Sequence, residues 1–283
     1  MTRTEIAIDE FLLEDTHNEI RMPNLPYGLI INERCEKNKI TAGLLLPIEQ
    51  IEKSDWVEPI DQLDLIVHTD LSEPIKGLFL EQVNLIVLAK TPPYIRYKND
   101  KTKNGEKAGT IVGLYKTDRA ILNKLTMDVC SDHAIVLLDE AQQPLHNIPF
   151  SIRFRNVALW SFNAACESFY SKFERTFAKA LNRKYSPKSD QWRSHCIMPI
   201  NFIPVKEGEG NNKSTCCKSI LRTEPNLENW GYLFLGRPSH VELIETHHTT
   251  LGCYAQHPVA ELKALPPAPE TTQDADFNLE IDI

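Results

Sequence analysis

The sequence has 283 residues, of which 42% are hydrophobic and 25% are charged, the composition of an ordinary soluble globular protein. No segment approaches the roughly eighteen consecutive apolar residues of a membrane-spanning helix, and the acidic N-terminus lacks the basic and apolar regions of a secretory signal. Seven cysteines without a C-x-x-C pair are expected as reduced thiols. We therefore predict a cytoplasmic protein of one large domain or two small ones.

The net charge of -8 is distributed unevenly along the chain. Residues 1–75 hold sixteen acidic and six basic residues, whereas residues 76–193 hold nineteen basic and eleven acidic ones. The last fourteen residues hold five acidic residues and no basic one. Because clustered cations attract phosphate backbones, the middle block indicates a polyanionic partner even for an acidic protein.

The first part of the chain predicts an arm followed by strands. Residues 1–26 are acidic and contain two closing prolines, so we expect either a frayed arm or a short motif that binds a partner. Residues 27–31 and 40–46 predict two strands around a polar loop. Pro47 suits the first turn of a short helix, and residues 63–67 form another apolar run.

A basic β-hairpin is predicted after one or two central strands at residues 78–90. Its first strand begins at Tyr94, its polar loop covers residues 99–108 and its second strand covers residues 110–116. Exposed hairpins of this kind grip single-stranded nucleic acid, because bases stack on the rings and ammonium groups follow the phosphates. An ordinary solvated hairpin is the alternative. The assigned residues are Tyr94, Arg96, Tyr97, Lys98, Lys101, Lys103 and Lys107.

One long amphipathic helix is the clearest element that the sequence predicts. It runs from about Val157 to Asn182, with Asn156 placed to cap its N-terminus. The strand before it, residues 150–155, alternates apolar side chains with polar or basic ones. Spacings of three and four residues define the apolar stripe of the helix: Leu159, Phe162, Cys166, Phe169, Phe173, Phe177 and Leu181.

Basic and aromatic residues surround this helix and the segment that follows it. Residues 153–193 hold nine Lys or Arg against three acidic residues. We assign phosphate and base contacts to them and expect one continuous surface with the hairpin. The wet side of an ordinary amphipathic helix is the alternative. The assigned residues are Arg153, Arg155, Lys172, Arg175, Lys179, Arg183, Lys184, Tyr185, Lys188, Trp192 and Arg193.

Shorter elements complete the prediction. They are a helix at 120–125, a strand at 134–138 that pairs with the strand before the long helix, an edge strand at 197–205 that contains two prolines, strands at 215–222 and 232–235, and a helix opened by Ser239 and Glu242.

The elements together predict an α+β fold. We expect a mostly antiparallel sheet or a partly open OB-like barrel, with one long amphipathic helix and a disordered acidic tail. Residues 1–26 form the arm, and residues 27–263 form the domain, either whole or divided into 27–75 and 76–263. Residues 264–283 form a Pro-rich linker and the tail.

No motif for catalysis or for a cofactor is found. The sequence has no phosphate-binding glycine loop, no G-x-S-x-G elbow and no H-E-x-x-H helix, so we predict neither an enzyme nor a cofactor. A group of histidines and one cysteine lacks the tight ligand pairs of zinc sites, so no metal is predicted, although metal binding there stays open. The group consists of His247, His248, Cys253 and His257.

The end of the chain alternates acidic and apolar residues after a proline-containing linker. It resembles the tail of bacterial single-stranded-DNA-binding proteins, although it lacks their consecutive aspartates and terminal Pro-Phe. The resemblance implies a tip that docks repair and replication partners and competes with DNA for the protein's own basic groove. A solubilising tail is the alternative. The tip residues are Phe277, Leu279, Ile281, Asp282 and Ile283.

The function predicted from these observations is the non-catalytic binding of single-stranded nucleic acid, DNA rather than RNA, in recombination, replication or maintenance of a mobile element. The bases are expected to stack on Tyr94, Tyr97, Tyr185 and Trp192. The alternative is an assembly subunit of a ribonucleoprotein or phage-type complex, whose basic block meets an acidic protein. The whole chain is also similar to uncharacterised proteins of bacterial plasmids and phages, a resemblance that implies no activity.

Overall fold

A computed structural model of the chain describes residues 24–36, 39–68, 73–208, 213–236 and 244. This part of the chain contains eleven strands that join one sheet. The strands are β1 (Tyr27–Glu36), β2 (Lys39–Pro47), β3 (Leu65–His68), β4 (Ile75–Leu80), β5 (Gln82–Lys90), β6 (Tyr94–Tyr97), β7 (Ile111–Leu114), β8 (Met127–Leu138), β9 (Phe150–Arg155), β10 (Met198–Glu207) and β11 (Ser214–Leu221).

The helices of the described part are mostly short. Four of them have four to six residues, and one has 25. They are α1 (Ile48–Lys53), α2 (Lys101–Asn104), α3 (Tyr115–Asp118), α4 (Asn156–Ala180) and α5 (Asp190–Arg193). Single 3₁₀ turns lie at Ile60–Gln62, Gly105–Lys107, Arg119–Ile121 and Trp230–Tyr232.

The sheet is open and mixed, with the strand order β11-β10-β5-β8-β9-β1-β2-β4-β3. β6 pairs with the first residues of β8, and β7 pairs with β6. All pairs are antiparallel except β1 with β9, where Tyr27 lies opposite Ser151. The predicted α+β class with a mostly antiparallel sheet is confirmed, whereas an OB-type closure is not shown.

β8 lies at the centre of the sheet and is buried on both faces. Val129 and Leu137 belong to the main core beneath α4, whereas Val136 and Leu138 belong to a second cluster on the opposite face with Ile197. A strand covered on both faces reads as a continuous apolar run rather than an alternation. This explains the uninterrupted apolar sequence at residues 134–138.

α4 covers the main core with the predicted apolar stripe, except for Leu181, which follows the helix and is 44% exposed. Phe162, Phe169 and Phe173 are fully buried, and the ring of Phe162 stacks on that of Phe154 with 4.1 Å between centroids. The alternation predicted for β9 is also confirmed, because Phe150, Ile152 and Phe154 are buried while Arg155 is exposed. The helix and the strand before it therefore form where the periodicity predicts them.

The N-terminus of α4 differs from the prediction that Asn156 caps it. Asn156 is the first helical residue and has a left-handed φ of 47°. Its Oδ1 accepts from the backbone N–H of Val129 at 3.0 Å, and its Nδ2 donates to Oδ1 of Asp128 at 2.7 Å. Asparagine tolerates this backbone conformation better than other non-glycine residues. The side chain thus joins the helix to β8 and caps no helical amide.

β10 is not the edge strand that its prolines predict, because it pairs with both β5 and β11. β5 pairs only with residues 198–201, so Pro204 lies beyond the end of β5. β11 ends its pairing at Ile200, and the carbonyl of Pro199 accepts from the N–H of Arg222. At each proline, the missing N–H would point toward a neighbouring strand that has already ended. Neither proline therefore costs the sheet a hydrogen bond.

β11 is the edge strand at this end of the sheet, and side chains satisfy part of its free edge. Oδ1 of Asn32 accepts from the N–H of Cys217 at 3.0 Å, and Oγ of Ser161 accepts from the N–H of Ser219 at 3.0 Å. An unpaired strand edge otherwise invites pairing with another chain. β1 and α4 thus block strand addition here.

Three other predictions were wrong in detail. The hairpin loop contains α2 and a 3₁₀ turn, the helix predicted at 120–125 is replaced by α3 and the turn at Arg119–Ile121, and residues 232–235 form no strand apart from one bridge at Phe234. The arm up to residue 23, the helix predicted at Ser239 and the acidic tail lie outside the described residues.

Candidate nucleic-acid interface

Tyr94 is completely buried, so the prediction that it stacks on a base is wrong. Its side chain is 0% exposed, and its hydroxyl donates to Oδ2 of Asp132 at 2.5 Å. Burial, and then the charge of Asp132, raise the pKa of Tyr94 well above its ordinary value. Tyr94 is therefore a neutral core residue that holds a buried carboxylate.

Arg153 completes this cluster from the surface, with 40% of its side chain exposed. Its Nε donates to Oδ1 of Asp132 at 2.7 Å and its Nη2 donates to Oδ2 at 3.2 Å, the bidentate geometry of a strong ion pair. Burial opposes its charge, but Asp132 and Tyr94 raise the pKa of Arg153. Burial also raises the pKa of the adjacent Cys130 thiol to about 12, so this cysteine is unreactive. The cluster stabilises the junction of β6, β8 and β9.

Two other predicted phosphate contacts are occupied by backbone carbonyls. Nε and Nη2 of Arg96 donate to the carbonyl of Gly109 at 2.9 and 2.6 Å. Nζ of Lys98 donates to the carbonyls of Lys124 and Leu125 at 2.8 and 3.2 Å. Both side chains thus brace the hairpin and its neighbouring loop, and these contacts fix the positions of their charges.

Gly109 is required by this arrangement. It has a left-handed φ of 81°, and a Cβ at this position would lie 2.7 Å from Nη2 of Arg96. A side chain would therefore strain the backbone and displace the guanidinium that closes the loop.

The other residues assigned to the hairpin lie nearer the surface. Tyr97 is half-buried, whereas Lys101, Lys103 and Lys107 are exposed. Nζ of Lys103 lies 3.4 Å from a carboxylate oxygen of Asp100 in the same turn. These lysines remain available to a solvent-borne partner.

Arg155 and the start of α4 border a polar cleft of about 300 Å³. Asn32 and Ser214 line it, together with the first turn of α4. Asp128 faces the same space, and its Oδ2 lies 3.9 Å from Nη1 of Arg155. The carboxylate offsets the guanidinium charge, so the cleft is only weakly attractive to anions.

The predicted set of cations around the long helix is divided between two sides of the sheet. Side chains alternate along β9, and its even-numbered residues pack beneath α4, so Arg153 and Arg155 point away from that helix. Lys172, Arg175 and Lys179 are exposed on the outer side of α4. Arg153 and Arg155 therefore do not share a surface with the exposed cations of α4, contrary to the prediction.

The chain after α4 turns back along the helix. Asn182 has a left-handed φ of 51°, and the N–H of Arg183 donates to the carbonyl of Ala178 at 2.8 Å. With the N–H of Asn182 bonded to the carbonyl of Lys179, this is the Schellman ending, which favours glycine or asparagine at the left-handed position. After this reversal, residues 183–188 run back alongside the last turns of α4.

This reversal creates a compact basic surface, which we call the α4 basic patch. The guanidinium carbon of Arg175 lies 5.8 Å from the ring centroid of Tyr185, whose ring is 42% exposed. The hydroxyl of Tyr185 donates to Oε2 of Glu174 at 3.3 Å. The patch consists of Arg175, Lys179, Arg183, Lys184, Tyr185 and Lys188.

Trp192 is not a free stacking platform, contrary to the prediction. Its ring lies among Phe173, Phe177 and Phe234, with centroids 5.9, 5.1 and 5.3 Å away. Nζ of Lys188 lies 5.7 Å from its centroid and covers part of the remaining ring. Trp192 is therefore mainly an anchor that holds the returning segment on α4.

Arg193 and Lys172 are also paired. Nε of Arg193 donates to the buried Oε1 of Glu174 at 2.8 Å, and Nζ of Lys172 lies 2.5 Å from Oε1 of Glu224. Lys172 and Glu224 are both exposed, so their ion pair adds little stability and Lys172 remains accessible. The remaining predicted sites, the tail tip and the group of His247, His248, Cys253 and His257, lie outside the described residues.

Sequence reasoning missed an exposed aromatic group near the N-terminus of α4. Trp160 is 42% exposed, and its ring centroid lies 5.1 Å from that of Tyr115. A helical wheel places Trp160 outside the apolar stripe, which was a usable signal. Its neighbour Tyr115 is 45 positions away in sequence, and no local pattern joins the two.

Together, these features define an α+β protein whose described part has an open mixed sheet, one long covering helix and a basic, aromatic surface where that helix ends. The chain belongs to the family described as Domain of unknown function (DUF5895), whose model matches residues 22–265.

The chain is also 24% identical over 182 residues to the uncharacterized protein 254L of Invertebrate iridescent virus 6. The aligned region covers 62% of this chain and 52% of the viral protein, so the match spans about half of that relative. No solved structure matches the chain. Among the described residues, no helix is long and apolar enough to cross a membrane, and the six described cysteines are free thiols.

Proposed function

We propose that the protein binds single-stranded nucleic acid through the α4 basic patch and acts by binding alone. The observation that carries this proposal is the reversal after α4, which places an exposed tyrosine ring beside Arg175 in a segment that also contains exposed basic residues. Single-strand-binding surfaces combine cations along the backbone with rings on which bases stack.

The cations of the patch favour this function because they are not neutralised within the described structure. Among the described residues, no ion pair forms with Arg175, Lys179, Arg183, Lys184 or Lys188. The nearby Glu174 is buried and bonded to Arg193, so its charge is compensated. Five positive charges without an ion-pair partner, in the last turns of α4 and the segment that follows, favour the binding of phosphates.

The test uses labelled single-stranded DNA, single-stranded RNA and duplex DNA with the full chain at two salt concentrations. Fluorescence anisotropy should show binding to a single strand, with log affinity falling by about 0.7 per contacted phosphate for each tenfold rise in salt. DNA is expected to bind more tightly than RNA. Binding that prefers duplex or does not depend on salt would count against the proposal.

A charge-reversed patch provides the residue-level test. Lys179→Glu with Lys184→Glu should weaken binding to single strands. It should also reduce the slope of log affinity against log salt concentration by roughly 1.4, because each lost phosphate contact removes about 0.7 from that slope. The matched control, with the same change in net charge, is Lys53→Glu with Lys206→Glu, two exposed lysines in the last turn of α1 and near the end of β10. Equal affinity of the patch variant and the control would remove the patch from the interface.

The alternative is an assembly subunit that binds an acidic protein. A pull-down from the same preparation distinguishes it from the proposed function. Nuclease treatment before a pull-down with the wild-type chain removes partners held by nucleic acid and leaves those held by protein contacts. Under the proposal, recovery of partners falls after nuclease and after patch reversal alike.

A further inference from the structure

A second aromatic and cationic group lies on the surface, remote in sequence from the α4 basic patch. Trp160 of α4 contacts Tyr115 of α3 at an interplanar angle of 53°. The guanidinium carbon of Arg119 lies 5.6 Å from the ring centroid of Tyr115. Lys116 is exposed on the same short helix. We call Tyr115, Arg119 and Trp160 the α3–α4 station.

The charges of the station are not neutralised by the adjacent carboxylate. Oδ2 of Asp118 accepts from the N–H of Leu114 at 2.7 Å and from Oγ1 of Thr117 at 2.9 Å, so it is held on its own turn. Among the described residues, neither Lys116 nor Arg119 forms an ion pair. Exposed aromatic rings with an arginine packed on one of them are the composition of a surface on which bases stack.

The station and the patch lie along one face of α4. Trp160 and Arg175 are fifteen residues apart, which leaves them within roughly 60° of each other around a helix of 3.6 residues per turn and roughly 22 Å apart along it. Short side chains, Ala164 and Ser168, lie on the exposed face between them. Glu167 is exposed there too and is the one unfavourable charge on this stretch of the described helix.

We propose that the α3–α4 station is a second base-stacking site and that one single strand lies along the outer face of α4, from the station to the patch. This inference rests on the proposed function. Phosphates of a stacked strand advance about 3.4 Å per nucleotide, so roughly six or seven stacked nucleotides, or fewer extended ones, span the two sites. The partner is thus a single strand long enough to contact both.

The experiment compares oligothymidylates of three and twelve nucleotides with the full chain by fluorescence anisotropy. Trp160→Ala should weaken binding of the long oligonucleotide by roughly 5- to 150-fold, the loss expected for one stacked base, and leave the short one within about twofold. Trp160→Phe should restore most of the affinity, because a phenyl ring still stacks. Glu167→Gln should tighten binding of the long oligonucleotide only.

The control is Tyr27→Ala, which removes an exposed ring at the start of β1 and should leave both affinities unchanged. If Trp160→Ala behaves like this control while patch reversal still weakens binding, the second site is overturned and the proposed function stands. If Trp160→Ala weakens the short and long oligonucleotides equally, the strand does not run along α4. Absence of any binding to a single strand overturns both proposals. Circular dichroism of each variant verifies folding.

Discussion

Arg193 donates from Nε to Oε1 of Glu174 at 2.8 Å, and Glu174 is only 1% exposed. This pair joins α5 to α4 about two turns before α4 ends. Together with Trp192, which packs on Phe177, it holds the segment between the two helices against α4. The position of Tyr185 beside Arg175 therefore depends on a buried ion pair eight residues further along the chain.

Removal of Arg193 should disturb both stability and binding. Arg193→Ala leaves the Glu174 carboxylate buried without its cation, and we expect the free energy of unfolding to fall by about 3 kcal/mol, the lower end for broken buried pairs because Arg193 is partly exposed. Urea unfolding measures the loss. Adding Glu174→Gln should recover part of it, since a neutral amide is easier to bury. A single variant as stable as wild type would contradict this role.

The buried role of Tyr94 predicts a separation between stability and binding. Tyr94→Phe removes the hydroxyl that donates to the Asp132 carboxylate and should lower the free energy of unfolding by about 1.5–3 kcal/mol. The affinity for a single strand should not change, because the ring never reaches solvent. Anisotropy and urea unfolding of the same preparation test both expectations. Weaker binding by a well-folded Tyr94→Phe protein would show that Tyr94 contributes to nucleic-acid binding.

His133 predicts a loss of stability in acid. Burial, and then the charge of Lys90, lower the pKa of His133 to about 4, while its ring lies edge-on to Phe154 and Phe162. Because the unfolded chain takes up the proton near pH 6.5 and the folded chain does not, folding weakens as pH falls from about 6.5 toward 4, by up to about 3 kcal/mol.

The measurement is urea unfolding of wild type and His133→Leu at pH 7.5 and 4.5. The difference in unfolding free energy between the two pH values should be smaller for His133→Leu, although carboxylates titrate in both proteins. Identical pH dependence in the two proteins would show that His133 does not cause the loss of stability in acid.

The acidic tail predicts a restraint on binding. Deletion of residues 270–283 removes five acidic residues and no basic one, and it should tighten binding to a single strand, most at low salt. Anisotropy at two salt concentrations tests this, with a chain of the same length carrying neutral amides at the five acidic positions as the control. Equal tightening by the two changes assigns the effect to charge; weaker binding after deletion would refute the restraint.

The sequence was sufficient to predict which residues are buried wherever one element packs against a single large apolar surface. The spacing of Phe162, Phe169 and Phe173 predicted the buried stripe of α4, and the alternation in β9 predicted which of its residues enter the core. The asparagine at 182 is a recognised ending for a helix, and α4 ends two residues before it. These are local patterns, and local backbone geometry decides them.

Prediction from sequence failed where a second contact decides burial. Period two places Tyr94 and Arg96 on one face of β6, but it does not tell whether that face meets solvent or the Asp132 carboxylate. The prolines of β10 indicate an edge only if the neighbouring strands extend past them, and the lengths of β5 and β11 show that they do not.

The amino-acid order alone determined the long helix, its apolar stripe, the alternation before it and the segregation of positive charge into residues 76–193. Only the tertiary structure decided which of those charges remain free, because Asp132, Asp128 and Glu174 reach their cations from other elements. It also brought Tyr115 to Trp160 and turned Tyr185 back onto Arg175. Periodicity determines which side chains share a face, whereas contacts between distant segments determine which faces stay open.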